Sequence, residues 1–193
     1  MKYIQPGLAV FAAVALALSA PAKALDDESA EAVAEATAAG QNAREDMLET
    51  FGTDQLENGH FLWQGGSGEV TRIVVSLTDQ TVYAYAGDQL VGVAPTSTAR
   101  EGYITPAGIF SVLEKNRMYH SKKYDNAPMP YAQRIDQYGI AMHGGAIPGY
   151  PASHGCIRLP TQFAAKLFQS TDIGTKVYIG GTAPILDDPH LEG

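Results

Sequence analysis

Cys156 is the only cysteine in 193 residues, and it follows His154 by two positions and His143 by thirteen. A free thiol has a pKa near ~8.5, so little of it is ionised at neutral pH, and an imidazole that accepts its proton turns it into a nucleophile. Cysteine with histidine is therefore the arrangement of acyl transfer through a thioester. Gly155, immediately before the thiol, permits a tight turn that aims the amides of Gly155 and Cys156 at one point, as an oxyanion site requires. Arg158 is the nearest fixed cation and suits a substrate carboxylate through a two-pronged contact. Taken singly, each residue has a bland reading: an inert buried thiol, a surface histidine, an ion-paired arginine. Their concentration between Met142 and Pro160 favours chemistry. Zinc is the other chemistry that Cys and His suggest, but the stretch has no C-x-x-C or H-x-x-x-H pair and no carboxylate, so no metal is expected.

Short runs rich in β-branched and aromatic residues must position this stretch: Val70 to Leu77, Thr81 to Tyr85, Leu90 to Ala94, Ile109 to Leu113, Ile140 to His143 and Lys176 to Ile179. Turn residues such as Asp79-Gln80 and Gly87-Asp88 punctuate them. One clear helical period runs from Gln162 to Gln169, with Phe163, Ala164, Leu167 and Phe168 on one face. The pattern predicts a mainly β, mostly antiparallel sandwich or barrel with one or two short helices. Lys115 to Gln137 reads as a long irregular region, of the kind that forms lids and binding walls. It contains His120, Ser121, Tyr124, Met129, Pro130 and Tyr131, and residues 100–134 hold six bases against three acids.

The net charge is −8. It argues against a nucleic-acid partner, which needs clustered Lys and Arg. Residues 1–24 read as an export signal: Lys2, an apolar run of 14 residues from Gly7 to Ala20, and the small-x-small site Ala22-Lys23-Ala24. That run is shorter than the ~20 residues of a spanning helix, so cleavage is expected, with no transmembrane segment afterwards. One cysteine excludes an intrachain disulfide, and its position excludes a lipoprotein signal. Residues 25–57 hold ten acids against Arg44 alone, so the acidity belongs to this leader. Its Ala-rich part, Ser29 to Phe51, favours helix but has few large apolar side chains, which predicts a spacer or a loosely docked helix. The expected organisation is a signal peptide over 1–24, an acidic segment over 25–60, a catalytic domain over 61–182 and a tail over 183–193.

The string Ser153-His154-Gly155-Cys156-Ile157-Arg158, preceded by His143-Gly144, resembles the signature of the L,D-transpeptidase catalytic domain, also called the YkuD domain. Gln80, Thr105-Pro106-Ala107-Gly108-Ile109-Phe110, His120-Ser121 with Tyr124, Met129-Pro130 and Gly174-Thr175-Lys176-Val177 extend the resemblance over roughly residues 61–180. It implies a β-sandwich or barrel with Cys156 as nucleophile toward the third residue of a peptidoglycan tetrapeptide stem, releasing D-alanine. His143 would be the base, its other ring nitrogen held by the Gly144 carbonyl. His154 and Gly155 would help build the oxyanion site. Arg158, Ser153, Tyr124, Met129 and His120 would bind substrate. No cofactor is implied.

The resemblance places such an enzyme in the periplasm. The acceptor would be an amine on a second stem or, in some relatives, an outer-membrane protein. A hydrolase of the carboxypeptidase or endopeptidase type on the same site, and a non-catalytic wall-binding module, are the alternatives. Only nine residues separate His143 from Ser153. This connection is shorter than in longer-spaced relatives, which bears on lid shape and acceptor choice.

Overall fold

The structure is a computed structural model that describes residues 26–64 and 69–184. The expected signal peptide and most of the expected tail lie outside these residues. Six strands form one sheet: β1 (Leu62–Trp63), β2 (Arg72–Ser76), β3 (Thr81–Ala86), β4 (Gln89–Pro95), β5 (Gly108–Ser111) and β10 (Lys176–Gly180), ordered β1-β4-β3-β2-β10-β5. The second sheet has the order β6 (Glu114–His120), β7 (Pro128–Arg134), β8 (Ala141–Gly144) and β9 (Ile157–Leu159). Pairing is antiparallel except for β2 with β10 and β8 with β9. The two sheets and helix α2 (Thr161–Ser170) enclose the main core, in which Ile73, Val75, Phe110, Met142, Ile157, Leu159, Phe163 and Leu167 are buried. The mainly β sandwich expected from the apolar runs is what forms.

Burial on both faces is a property of β2, where Ile73, Val74 and Val75 are all inaccessible. An unbroken apolar strand needs a layer on each side. Ile73 and Val75 face the second sheet, whereas Val74, with Tyr83, Tyr85 and Val93, faces helix α1 (Ala30–Phe51). The acidic segment is thus a structural layer of the domain, which corrects the expectation of a spacer or loosely docked helix. Large side chains are unnecessary because α1 approaches through small ones: Ala32, Ala36, Gly40 and Ala43 are buried along one stripe that ends at Met47. A Cβ built on Gly180 of β10 would lie 2.3 Å from the Thr37 amide nitrogen, so helix and strand meet backbone to backbone. The Ser29 side chain caps the first turn, Gly52 ends the helix with φ of 72°, and the Tyr85 hydroxyl donates to Asp46 at 2.6 Å.

The second correction concerns residues 115–137, which form the β6–β7 hairpin and its turn, with Glu114 opposite Arg134 and His120 opposite Pro128. Two features hide these strands in the sequence. β6 is an exposed edge strand whose polar residues follow no apolar alternation, and β7 contains Pro128 and Pro130. Those prolines are tolerated because β7 pairs with β8 only at Gln133 and Arg134.

Candidate active site

Two adjacent parallel strands deliver the central pair. His143 lies in β8 opposite Arg158 of β9, and Cys156 stands at the entry to β9. Both line one cleft of about 740 Å³, walled by the turn of the β6–β7 hairpin, the 136–140 turn, Gly145-Ala146 and the strand bearing the thiol. His143 is buried, and its Nδ1 lies 2.9 Å from the Gly144 carbonyl oxygen. A carbonyl only accepts, so Nδ1 carries the proton in the neutral ring and Nε2 is left as an acceptor. Burial pushes the His143 pKa below the ordinary histidine value; the Gly144 hydrogen bond works against this and the Arg158 charge adds to it.

Burial pushes the Cys156 thiol the other way, up from its ordinary value, helped by Asp136 and opposed by an Ala141 backbone hydrogen bond and by Arg158. At neutral pH the site holds a thiol and a neutral imidazole. The Sγ donates to the Gly139 carbonyl oxygen at 3.8 Å. Among the described residues no hydrogen bond joins Sγ to His143. Transfer of the thiol proton to His143 would therefore require the thiol to reorient.

The flanking residues divide into those that face the cleft and those that hold its frame. Arg158 lines the cleft with Lys122 and Lys123, and it forms no ion pair among the described residues. Tyr124 and Met129 also line it, Met129 packing with Ala132, Ala141 and Cys156. His154 borders it, with Tyr124 stacked on its ring and the Arg100 guanidinium 3.0 Å from Nε2.

Ser153 is buried, and its hydroxyl accepts the Gly155 amide at 3.0 Å. This corrects one expectation. The Gly155 N–H is committed to Ser153 and so is not free for an oxyanion, while Ser153 itself lines the cleft as well as holding its frame. Gly155 has φ of +126°, its carbonyl accepts from Thr105 at 2.8 Å, and a Cβ there would lie 2.7 Å from Ile140 Cδ1. Glycine is required for both reasons.

His120 corrects another expectation: it is exposed and does not border the cleft, whereas Tyr119 and Ser121 on either side of it do. Side chains alternate along a strand, and β6 turns this one outward. Sequence reasoning missed Asp136, Gly139, Arg100 and Tyr103. The sole signal was the turn-forming composition of Asp136-Gln137-Tyr138-Gly139. Gln80, by contrast, does structural work, bonding through its side chain to Leu77 and Thr98 behind the site. Among the described residues no group of three His, Cys, Asp or Glu side chains converges as metal ligands would, and no helix is long and apolar enough to cross a membrane.

Fold and site together define a class: a two-sheet sandwich that presents a cysteine and a histidine from neighbouring parallel strands to one cleft. Residues 70–179 match the family model of the L,D-transpeptidase catalytic domain. The chain belongs to that family. Probable L,D-transpeptidase 3 of Mycobacterium tuberculosis is 31% identical over 104 residues, which are 46% of this chain and 38% of that protein. An L,D-transpeptidase from Stackebrandtia nassauensis superposes with a TM-score of 0.56 at 28% identity, over 60% of this chain and 58% of that one. L,D-transpeptidase 3 from Mycobacterium tuberculosis in complex with a faropenem-derived adduct gives 0.54 at 26% identity, over 59% and 61%. This chain thus spans less than two thirds of the length of each.

Proposed function

We propose that this chain is an exported L,D-transpeptidase that acts in the periplasm on peptidoglycan tetrapeptide stems through a Cys156 thioester. As Sγ attacks the carbonyl carbon of the third stem residue, His143 Nε2 takes the thiol proton. The carbon–nitrogen bond to the terminal D-alanine then breaks, and His143 returns that proton to the departing amine. An amine on a second stem attacks the thioester next, giving a link between third residues and restoring the thiol. Arg158, Lys122 and Lys123 make the cleft attractive to a substrate bearing free carboxylates. No cofactor enters these steps.

The observation that carries this reading is the Nδ1 contact of His143 with the Gly144 carbonyl, in the same cleft as Cys156. It takes the orienting place that a carboxylate fills in a catalytic triad. Water, a stem amine or an outer-membrane protein can all resolve the same thioester, so product analysis separates transpeptidase from hydrolase.

The test is intact-mass spectrometry of the purified protein after incubation with a tetrapeptide-stem muropeptide and, separately, with a faropenem-type β-lactam. A Cys156-dependent adduct with D-alanine release and a dimeric product supports the transpeptidase. An adduct with only monomeric products supports the hydrolase or a protein acceptor. Absence of any adduct overturns the catalytic reading in favour of a wall-binding module.

A further inference from the structure

The turn between β7 and β8 is built around a carboxylate. Asp136 is 3% exposed, and its Oδ1 accepts the backbone N–H groups of Tyr138, Gly139 and Ile140 at 2.9, 2.7 and 2.7 Å. The Ile135 amide donates to the Ile140 carbonyl at 2.9 Å, and Arg134 Nη1 donates to the Asp136 carbonyl at 2.6 Å, so both ends are tied as well. Three amides on one oxygen fix a short peptide as a helix cap does.

That rigidity reaches the nucleophile at two points. The Gly139 carbonyl accepts the thiol of Cys156, and Ile140 packs where a side chain on Gly155 would stand. Gly139 itself has φ of +98°, a conformation that Oδ1 of Asp136 stabilises from behind.

We propose that Asp136 is a positioning residue for the nucleophile: by fixing the 136–140 turn it holds the Gly139 carbonyl as acceptor of the resting Cys156 thiol, which then faces the turn and not the imidazole of His143. The inference rests on Cys156 being the nucleophile. Its consequence is a thiol kept protonated until a substrate enters, because a hydrogen bond to the neutral form opposes ionisation and the nearby carboxylate charge acts in the same direction. The other charged or titratable groups lining the cleft with Cys156 are His143 from β8, Arg158 from β9, His154 just before it, Tyr119, Lys122, Lys123, Tyr124 and Asp125 from the β6–β7 hairpin, and Tyr138 from the 136–140 turn.

Two substitutions separate positioning from mere support. Asp136→Ala removes the oxygen that the three amides share, and Asp136→Asn, which keeps one, serves as the control for the lost charge alone. Gly139→Ala strains the turn at a site where a methyl group meets nothing within 4 Å. The readout is the rate of Cys156 alkylation by iodoacetamide as a function of pH in the full-length protein.

Asp136→Ala and Gly139→Ala are both expected to react at least about threefold faster than the parent at neutral pH, and faster than Asp136→Asn, with the profile moved to lower pH. Profiles that superimpose on the parent's overturn the proposal, even if both variants melt earlier, since a purely structural role lowers stability without moving the profile. If one variant fails to fold, the other decides. Alkylation needs neither a stem peptide nor acyl transfer. A moved profile beside a failed muropeptide assay would therefore retain the positioning role and reject the transpeptidase, and the reverse pair of results would do the opposite.

Discussion

Tyr124 lies flat on His154, with ring centroids 4.4 Å apart and planes 11° apart. The contact joins the turn of the β6–β7 hairpin to the segment that carries Cys156. Tyr103 meets the same imidazole edge-on at 4.6 Å, and Arg100 lies 3.0 Å from its Nε2. Since a guanidinium only donates, Nε2 of His154 is an acceptor and the ring is neutral. Burial lowers its pKa, with Arg100, Arg158 and Lys123 adding to the effect. His154 is thereby a clasp, and its ring nitrogen is already in use.

Replacing Tyr124 by Ala removes that clasp. Hydrogen exchange over residues 121–127 is expected to quicken, and KM for a stem peptide to rise severalfold with kcat little changed. Unchanged exchange in that turn would show that the stacking does not hold it.

The two histidines are predicted to differ. His143→Ala should slow acylation by at least ~10²-fold, as loss of a general base does. His154→Ala should cost less, acting through the clasp. Single-turnover acylation monitored by mass spectrometry compares them, and a silent His143→Ala beside a large His154→Ala loss reverses the roles.

Cys156→Ala should eliminate every covalent adduct while leaving the melting temperature close to the parent's, because the change removes one sulfur from a half-buried position. Residual adduct formation in this variant excludes Cys156 as the nucleophile.

The pH dependence has two sides. With its pKa lowered by burial, His143 stays neutral into mildly acidic solution. Acylation is thus expected to fall on the acid side with a midpoint below the ordinary histidine value of about 6.5. Stability follows the same group: below about pH 6.5 the unfolded chain takes up a proton that the folded chain refuses, so stability drops as pH falls. Cys156 has the opposite sign. Its raised pKa means that the unfolded thiol ionises first, and stability is lost as pH rises above about 8.5. Tyr83, pushed up to about 12 mainly by burial, extends that loss to higher pH. Urea titrations across the range measure both limbs.

Gly180→Ala tests the docking of α1. A methyl group there would sit 2.3 Å from the Thr37 nitrogen and 2.4 Å from the Ala36 carbonyl carbon, both of them backbone atoms that cannot swing aside. A loss of about 1–3 kcal/mol, or more if the helix is displaced, is expected from denaturant unfolding. An unchanged midpoint would mean that α1 is not a fixed layer of the domain.

How far the sequence reached depends on the kind of interaction. Six apolar runs became β2, β3, β4, β5, β8 and β10, because strands with a buried face write their burial into composition. Cys156, His143 and Arg158 were legible because residue type and local spacing announce chemistry, and two strands in register bring them to one cleft. Strands β6 and β7 were not legible, since an exposed edge and a proline-bearing neighbour have no apolar period to read.

Four decisions belonged to the tertiary structure alone. Helix α1 docks through small residues against Gly180, and close backbone approach leaves no hydrophobic trace in the sequence. Ser153 takes up the amide of Gly155, and His120 faces outward, because hydrogen-bond partners and side-chain direction depend on the surrounding turn and sheet. Asp136 reaches the thiol only through the fold of its own turn, twenty residues before Cys156, where no local spacing links a carboxylate to a cysteine.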